Sequence, residues 1–320
     1  MLHILQVTFP FFALVLLGFV ATRRGLLPLA AISGLNAFVL FFALPCMLFR
    51  FGARTPLAQL LDLRLAAVYL LASLLIVGLT VALTRRGTMG WNDAAFGALV
   101  AAFPNSGFMG VPLLVALLGA QAAGPVIVTL VLDLVLASSL CIALSRLEST
   151  GLQGAEAAAL KALRGVATNP MPWSILLGAL ASGTGWQLPA PLMQTVNLLA
   201  DAASPVALFT LGAVLARSQI EGLARGQPVA WRDWAGVVAI KLLLHPLLVG
   251  ALGWSAMQAG LALDPFTLTV AVLVAALPSA SNVSLLAERF GADNGRIARI
   301  ILWSTAIAFF SFSAAVSWLS

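Results

Sequence analysis

Apolar residues run along this chain in long stretches broken by short polar connections; they neither alternate nor recur on a single stripe. About 20 apolar residues wound as a helix cross the roughly 30 Å of a bilayer's hydrocarbon. On that length the pattern predicts ten membrane-spanning helices, at about 3–21, 31–49, 65–84, 94–118, 125–145, 170–184, 196–216, 234–257, 265–287 and 297–319. A transmembrane β-barrel would need apolar and polar positions to alternate, and they do not. The expected fold class is an all-α polytopic membrane protein.

Composition narrows what such a bundle can do. Of 320 residues, 61% are apolar and 9% charged, against roughly 25% charged in soluble domains. This excludes a disordered chain, a disulfide-stapled secreted domain and a water-exposed enzyme domain of any size. The net charge of +6 is spread in pairs and threes at the ends of apolar runs, which is a topology signal and gives no reason to expect a nucleic-acid partner. With the N-terminus outside, thirteen of the 17 Lys and Arg residues fall in inward-facing connections. Arg50, Arg54 and Arg64 face outward and Lys241 lies within the eighth span, so both termini are expected outside. The run Leu2 to Val20 carries Arg23 and Arg24 after it and reads as a retained first helix. Cys46 and Cys141 lie inside apolar runs with no CxxC spacing and read as small buried hydrophobes.

The chain also resembles itself. AAFPNSG at 101–107 matches AALPSAS at 275–281 with an offset of 174, and FALPCML around Pro45 matches AASPVAL around Pro205 with an offset of 160. Each half holds five expected spans, an odd number, so the second half enters the membrane inverted. The halves are expected at 1–150 and 170–320, joined by a cytoplasmic linker at 151–169. The linker segment LQGAEAAALKALRGV, 152–166, has the apolar stripe of an interfacial helix.

Proline inside a helix removes a backbone hydrogen bond, and in lipid the freed carbonyls must find partners or line a wet cavity. The fourth span has Pro104, Gly107, Gly110 and Pro112 within nine positions, and the ninth has Pro278 followed by Ser279, Ser281 and Asn282, residues suited to cap a new helix start. Two broken helices of opposite direction would bring the N-termini of their second halves to one central region. Unpaired amides and partial positive charge there attract an anion. The expected site residues are Pro104, Asn105, Ser106, Gly107, Pro278, Ser279, Ser281 and Asn282. Matched interruptions in two inverted halves point to a transporter.

FPNSGFMGVPL at 103–113, ALPSASNVSLLAERFG at 276–291 and KLLLHPLL at 241–248 resemble the bacterial branch of the auxin efflux carrier family, which includes malonate and malate carriers. The resemblance covers essentially the whole chain. It implies a bile-acid-transporter-like fold in which the fourth and ninth spans cross. Spans 1, 2, 6 and 7 would form a scaffold and spans 3–5 and 8–10 a moving transport domain. An elevator mechanism and a homodimer in a bacterial inner membrane, surrounded by lipid, are further implications. Asn105 matches the position after the crossover proline that contacts the substrate carboxylate in plant members. Asp133 stands where those carriers usually have Gln, a departure that argues against auxin itself.

Asp133 and Lys241 are ionisable groups inside apolar spans, where an unpaired charge is costly. Asp133 is open to three readings: protonated, paired with Lys241, or used in proton coupling. Lys241 reads as a snorkelling side chain, a partner for Asp133 or a direct ligand for the substrate carboxylate, and His245 as a proton relay or a packed helix residue. Asp201 reads as a cap or interface residue. No cofactor is expected: the chain has no Walker loop, no GxSxG and no metal-ligand spacing, and its histidines are His3 and His245. The function expected is secondary transport of a small carboxylate anion by alternating access, with H+ the candidate coupling ion ahead of Na+; a sodium-coupled organic-anion symporter and an auxin-like monocarboxylate exporter are the alternatives.

Overall fold

The computed structural model describes residues 2–85, 89–147, 157, 160, 163–165, 167–224 and 231–319, and these are almost entirely helical. In chain order we number α1 (Leu2–Arg23), α2 (Ala31–Arg54), α3 (Leu63–Thr84), α4 (Trp91–Ala102), α5 (Ser106–Leu118), α6 (Ala120–Ser145) and α7 (Pro170–Thr184). There follow α8 (Ala190–Ala224), α9 (Ala235–Gln258), α10 (Pro265–Ala276), α11 (Asn282–Phe290) and α12 (Asn294–Leu319). Several starts are written locally: Asp62, Asn169 and Asp264 each accept a main-chain amide of the helix that follows, which satisfies donors the helix cannot. Large apolar side chains such as Leu16, Phe41, Leu247 and Phe310 remain exposed on the outer faces, the arrangement suited to a lipid surround.

Among the described residues, seven helices are long and apolar enough to cross a membrane. Three expected spans fall short of that length. The fourth divides into α4 and α5 and the ninth into α10 and α11, both at a proline; the sixth, α7, has 15 residues. The seventh expected span is longer than its apolar run, extending to the 35 residues of α8 because polar positions at both ends continue the helix. The expected interfacial helix over 152–166 lies for most of its length outside the described residues.

Where α1 lies along α8, and α2 along α7, the backbones touch through glycine. A Cβ built on Gly18 would stand 1.9 Å from Phe209 O, and one on Gly212 would stand 1.9 Å from Val15 O. At the other crossing, a Cβ on Gly178 would stand 2.7 Å from Phe49 O and one on Gly52 3.3 Å from Gly178 Cα. Gly18 and Gly178 are 160 positions apart, as are Gly52 and Gly212, which is the offset of Pro45 and Pro205. The two crossings therefore use the same pair of positions in the two halves. Small residues permit this approach, and in lipid such packing takes over the role that hydrophobic burial has in water.

Among the described residues, four turns are widened to π geometry: Val39–Ala43, Ser106–Gly110, Asp133–Ala137 and Ile240–Leu244. Three of them end two residues before a proline, Pro45, Pro112 or Pro246. A proline ring clashes with the carbonyl one turn back, and a wider turn makes room for it. The fourth has no proline; there Ser138 Oγ donates to Asp133 O at 2.9 Å. Arg296, expected in an inward-facing connection, is 2% exposed. Its Nε donates to Asp233 O (2.7 Å) and its Nη1 to Asp93 O (2.9 Å), tying the start of α12 to α4 and to the segment before α9.

Candidate functional site

The two helix breaks meet. Phe103 and Leu277, each just before its proline, are extended (φ −100°, ψ 99° and φ −62°, ψ 156°), as a residue preceding proline prefers. Pro104 and Ser279 form an isolated antiparallel bridge. The Asn105 amide donates to Pro278 O at 2.8 Å, and the Ala280 amide donates to Phe103 O at 2.9 Å. Backbone groups that each break removes from its own helix are thus satisfied by the other break, as irregular backbone buried in a membrane protein requires. Gly110 marks the closeness of the approach: a Cβ there would stand 3.0 Å from Leu277 Cδ1.

Other helices take up what remains. The Ser279 amide donates to Ser304 Oγ of α12 at 3.2 Å. Ala275 O, near the carbonyl end of α10, accepts from Lys241 Nζ of α9 at 2.7 Å, a cation at the negative end of a half-helix. Pro112 brings no amide to the carbonyl one turn back, Phe108 O, which accepts from Ser204 Oγ of α8 at 3.4 Å.

Several side-chain atoms at this crossing are buried and have no protein partner: Asn105 Nδ2, Ser279 Oγ and Asn282 Oδ1. Asn105 is 2% exposed and Ser279 0%. Ser106, also fully buried, points its Oγ back to Pro104 O at 3.4 Å. Gly107 packs toward Leu44 and Leu130, so its lack of a side chain leaves room between α2 and α6. The expected capping of α11 is not made. Ser281 is already helical (φ −70°, ψ −27°) and makes no capping bond, while the Val283 and Ser284 amides turn to Ala280 O and Ser281 O. At the head of α11 these two amides are thus paired, while Asn282 Oδ1 is buried without a protein partner.

The intramembrane ionisable residues gather in a second buried cluster. Asp133 Oδ2 accepts from Tyr69 Oη at 3.0 Å, while Asp133 Oδ1 has no partner. The Tyr69 ring lies 5.9 Å from that of His245, and His245 Nδ1 lies 3.3 Å from Lys241 Nζ. Asp133, Tyr69, Lys241 and His245 are all fully buried. The direct Asp133–Lys241 ion pair considered from sequence is not formed; Asp133 is bonded to Tyr69, and Lys241 Nζ to Ala275 O and His245 Nδ1. Full burial also removes the snorkelling reading of Lys241. Through Ala275, three residues before Pro278, this cluster abuts the crossing. Asp201 is an interface residue well inside α8, where its Oδ1 accepts from Arg50 Nη1 at 2.6 Å.

Sequence reasoning missed Tyr69, Ser204 and Ser304. Tyr69 carried a signal, as the single tyrosine of the chain set in an apolar span, and Ser204 directly precedes the matched Pro205. Ser304 carried none. An open cavity of about 610 Å³ lies elsewhere, between the end of α8 and the start of α12, lined by Ser218, Gln219, Trp234, Asp293 and Trp303 among others and by none of the crossing residues.

Comparison with known proteins gives the relatives of this chain. The family model described as membrane transport protein matches residues 3–316. A Rhizobium meliloti (strain 1021) protein named "Putative malonate transporter" is 30% identical over 314 residues, covering 96% of this chain and 93% of the relative. "Uncharacterized transporter YfdV" of Escherichia coli (strain K12) is 29% identical over 288 residues, covering 88% and 86%. "Auxin efflux carrier component 8" of Arabidopsis thaliana is 24% identical over 358 residues, covering 96% and 94%.

Proposed function

From the premise that this chain belongs to the membrane transport protein family, that of the auxin efflux carriers, and is a multi-pass membrane protein, we propose that it is a secondary carrier of a small organic carboxylate of the malonate or malate class. The observation that carries the reading is the set of buried polar atoms without protein partners at the crossing, Asn105 Nδ2, Ser279 Oγ and Asn282 Oδ1. Native proteins leave few such groups, and a ligand is the natural partner for those that persist in a functional site. Asn105 and Ser279 offer donors to a carboxylate; Pro104 and Pro278 hold the backbone open, and Ser106, Gly107 and Ser281 shape the surroundings. The name of the Rhizobium meliloti relative supports the substrate class.

In this reading the chain makes ten spans in two inverted halves, with the short α7 and the two interrupted helices crossing as well. The repeated glycine crossings support it, and the 13-to-3 charge asymmetry supports termini outside. α1, α2, α7 and α8 form the fixed frame, and the remaining helices carry the site between the two sides by an elevator-type motion. Asp133, Tyr69, His245 and Lys241 form the coupling cluster, and protons are the coupling ion, the role to which intramembrane ionisable chains are most suited.

Uptake of malonate, malate and monocarboxylates into proteoliposomes, with and without a pH or sodium gradient, tests the function. Asn105→Ala is expected to lose about 1 to 3 kcal/mol of substrate affinity, the usual cost of a buried group left unpaired, with folding intact. Wild-type affinity in a well-folded Asn105→Ala protein would show that the crossing is not the site.

A further inference from the structure

The break in the ninth span is held from outside. In a continuous helix the Ser279 amide would donate to Ala275 O four positions back. That carbonyl is taken by Lys241 Nζ at 2.7 Å, and the Ser279 amide donates instead to Ser304 Oγ at 3.2 Å. The Ser304 hydroxyl donates in turn to Ile301 O of its own helix at 3.0 Å. Its proton is thereby committed and its lone pairs are left for Ser279. Ser304 is fully buried, so no water substitutes for this bond. Three residues on from Ser279 the chain enters α11, and along that short path lie Ser279 Oγ and Asn282 Oδ1, both without a protein partner.

We infer that Ser304 is a positioning residue of the carboxylate site. By accepting the Ser279 amide it fixes the path from Pro278 into α11, and so the places of the Ser279 and Asn282 side chains. The inference rests on the crossing being the substrate site. Without the Ser304 hydroxyl, the Ser279 amide is left buried and unpaired or must compete with Lys241 for Ala275 O, and either displaces the two side chains.

The test uses the full-length protein in proteoliposomes with radiolabelled malonate, together with thermal unfolding in detergent. Ser304→Thr and Ser304→Val are nearly the same size and differ in the hydroxyl, so packing disturbance is common to both. Ser304→Val is expected to raise the KM for malonate about tenfold relative to Ser304→Thr, with Vmax within about twofold and both substrate-free variants still unfolding cooperatively, Ser304→Val at a somewhat lower midpoint because the Ser279 amide is left unpaired. Adding Ser279→Ala to Ser304→Val is expected to raise KM less than the product of the separate effects, because Ser304 acts partly through Ser279. Equal KM values for the Thr and Val variants would overturn the inference, as would strict additivity with Ser279→Ala. Asn105→Ala run in parallel separates the two levels: normal malonate affinity in that variant overturns the site itself. A weakened Asn105→Ala beside equal Thr and Val variants overturns only the role of Ser304.

Discussion

The contact of α1 with α8 and the contact of α4 and α5 with α10 and α11 both bring backbone against backbone, and they do so by opposite means. At the first, Gly18 and Gly212 let two helices touch, and neither helix is interrupted. At the second, Pro104 and Pro278 break the helices, and the freed groups are exchanged across the break or handed to Ser304 and Lys241. The glycine contact has one arrangement, since nothing in it can rotate or be exchanged. The proline contact is a network of hydrogen bonds with buried atoms to spare, which is costly in an apolar surround and worth keeping only where a ligand completes it. The proposed frame uses the first kind of contact, and the proposed site the second.

The sharpest way to break the comparison is to put a side chain into the frame. Gly212→Val places its Cβ 1.9 Å from Val15 O, so the helices must part, and a loss above about 4 kcal/mol is expected from overpacking against a backbone that cannot yield. Thermal unfolding in detergent, with Gly78→Ala as control at a position where a Cβ meets nothing within 4 Å, measures it. A stable Gly212→Val protein would mean the frame is not rigid at this crossing.

A smaller, more specific effect is expected in the cluster behind the crossing. Asp133→Asn and Lys241→Met each leave buried polar groups without their counterpart and should cut uptake by about ten- to a hundredfold, a few kcal/mol at most. The double replacement should lose less than the product of the two, because Tyr69 and His245 join them into one network. Uptake and counterflow measured on all four proteins decide the matter; independent effects with unchanged pH dependence would remove the coupling role and leave Asp133 as a polar lining residue. Tyr69→Phe, which keeps the ring against His245 and removes the bond to Asp133, belongs in the same set.

The smallest effect belongs to Arg50 and Asp201, the ion pair that ties α2 to α8 at the frame's edge. The Asp201 side chain is 70% exposed, and exposed pairs contribute about 0 to 1 kcal/mol. Arg50→Ala should leave the unfolding midpoint within a few degrees. A larger drop would show that charge, as well as glycine, holds the frame together.

What the sequence by itself determined is what depends on neighbours along the chain. Helicity follows from apolar runs of membrane length, and the interruptions fall at Pro104 and Pro278 because proline acts on the turn that contains it. The polar residues beside those prolines were readable in the same local terms, as were the matching segments of the two halves. Local reading failed where a helix start depended on its surroundings: Ser281 has the composition of a cap but meets α11 already helical, and α8 runs past the ends of its apolar stretch. Only tertiary structure decided who receives the freed backbone. Ser304 lies 25 residues beyond Ser279, Lys241 lies 34 before Ala275, and no periodicity connects them. The same holds for Tyr69 and Asp133, 64 apart, and for glycines whose importance is visible only against the carbonyl of another helix. A hydrogen-bond donor in the sequence states what it needs; packing alone states what stands within 3 Å of it.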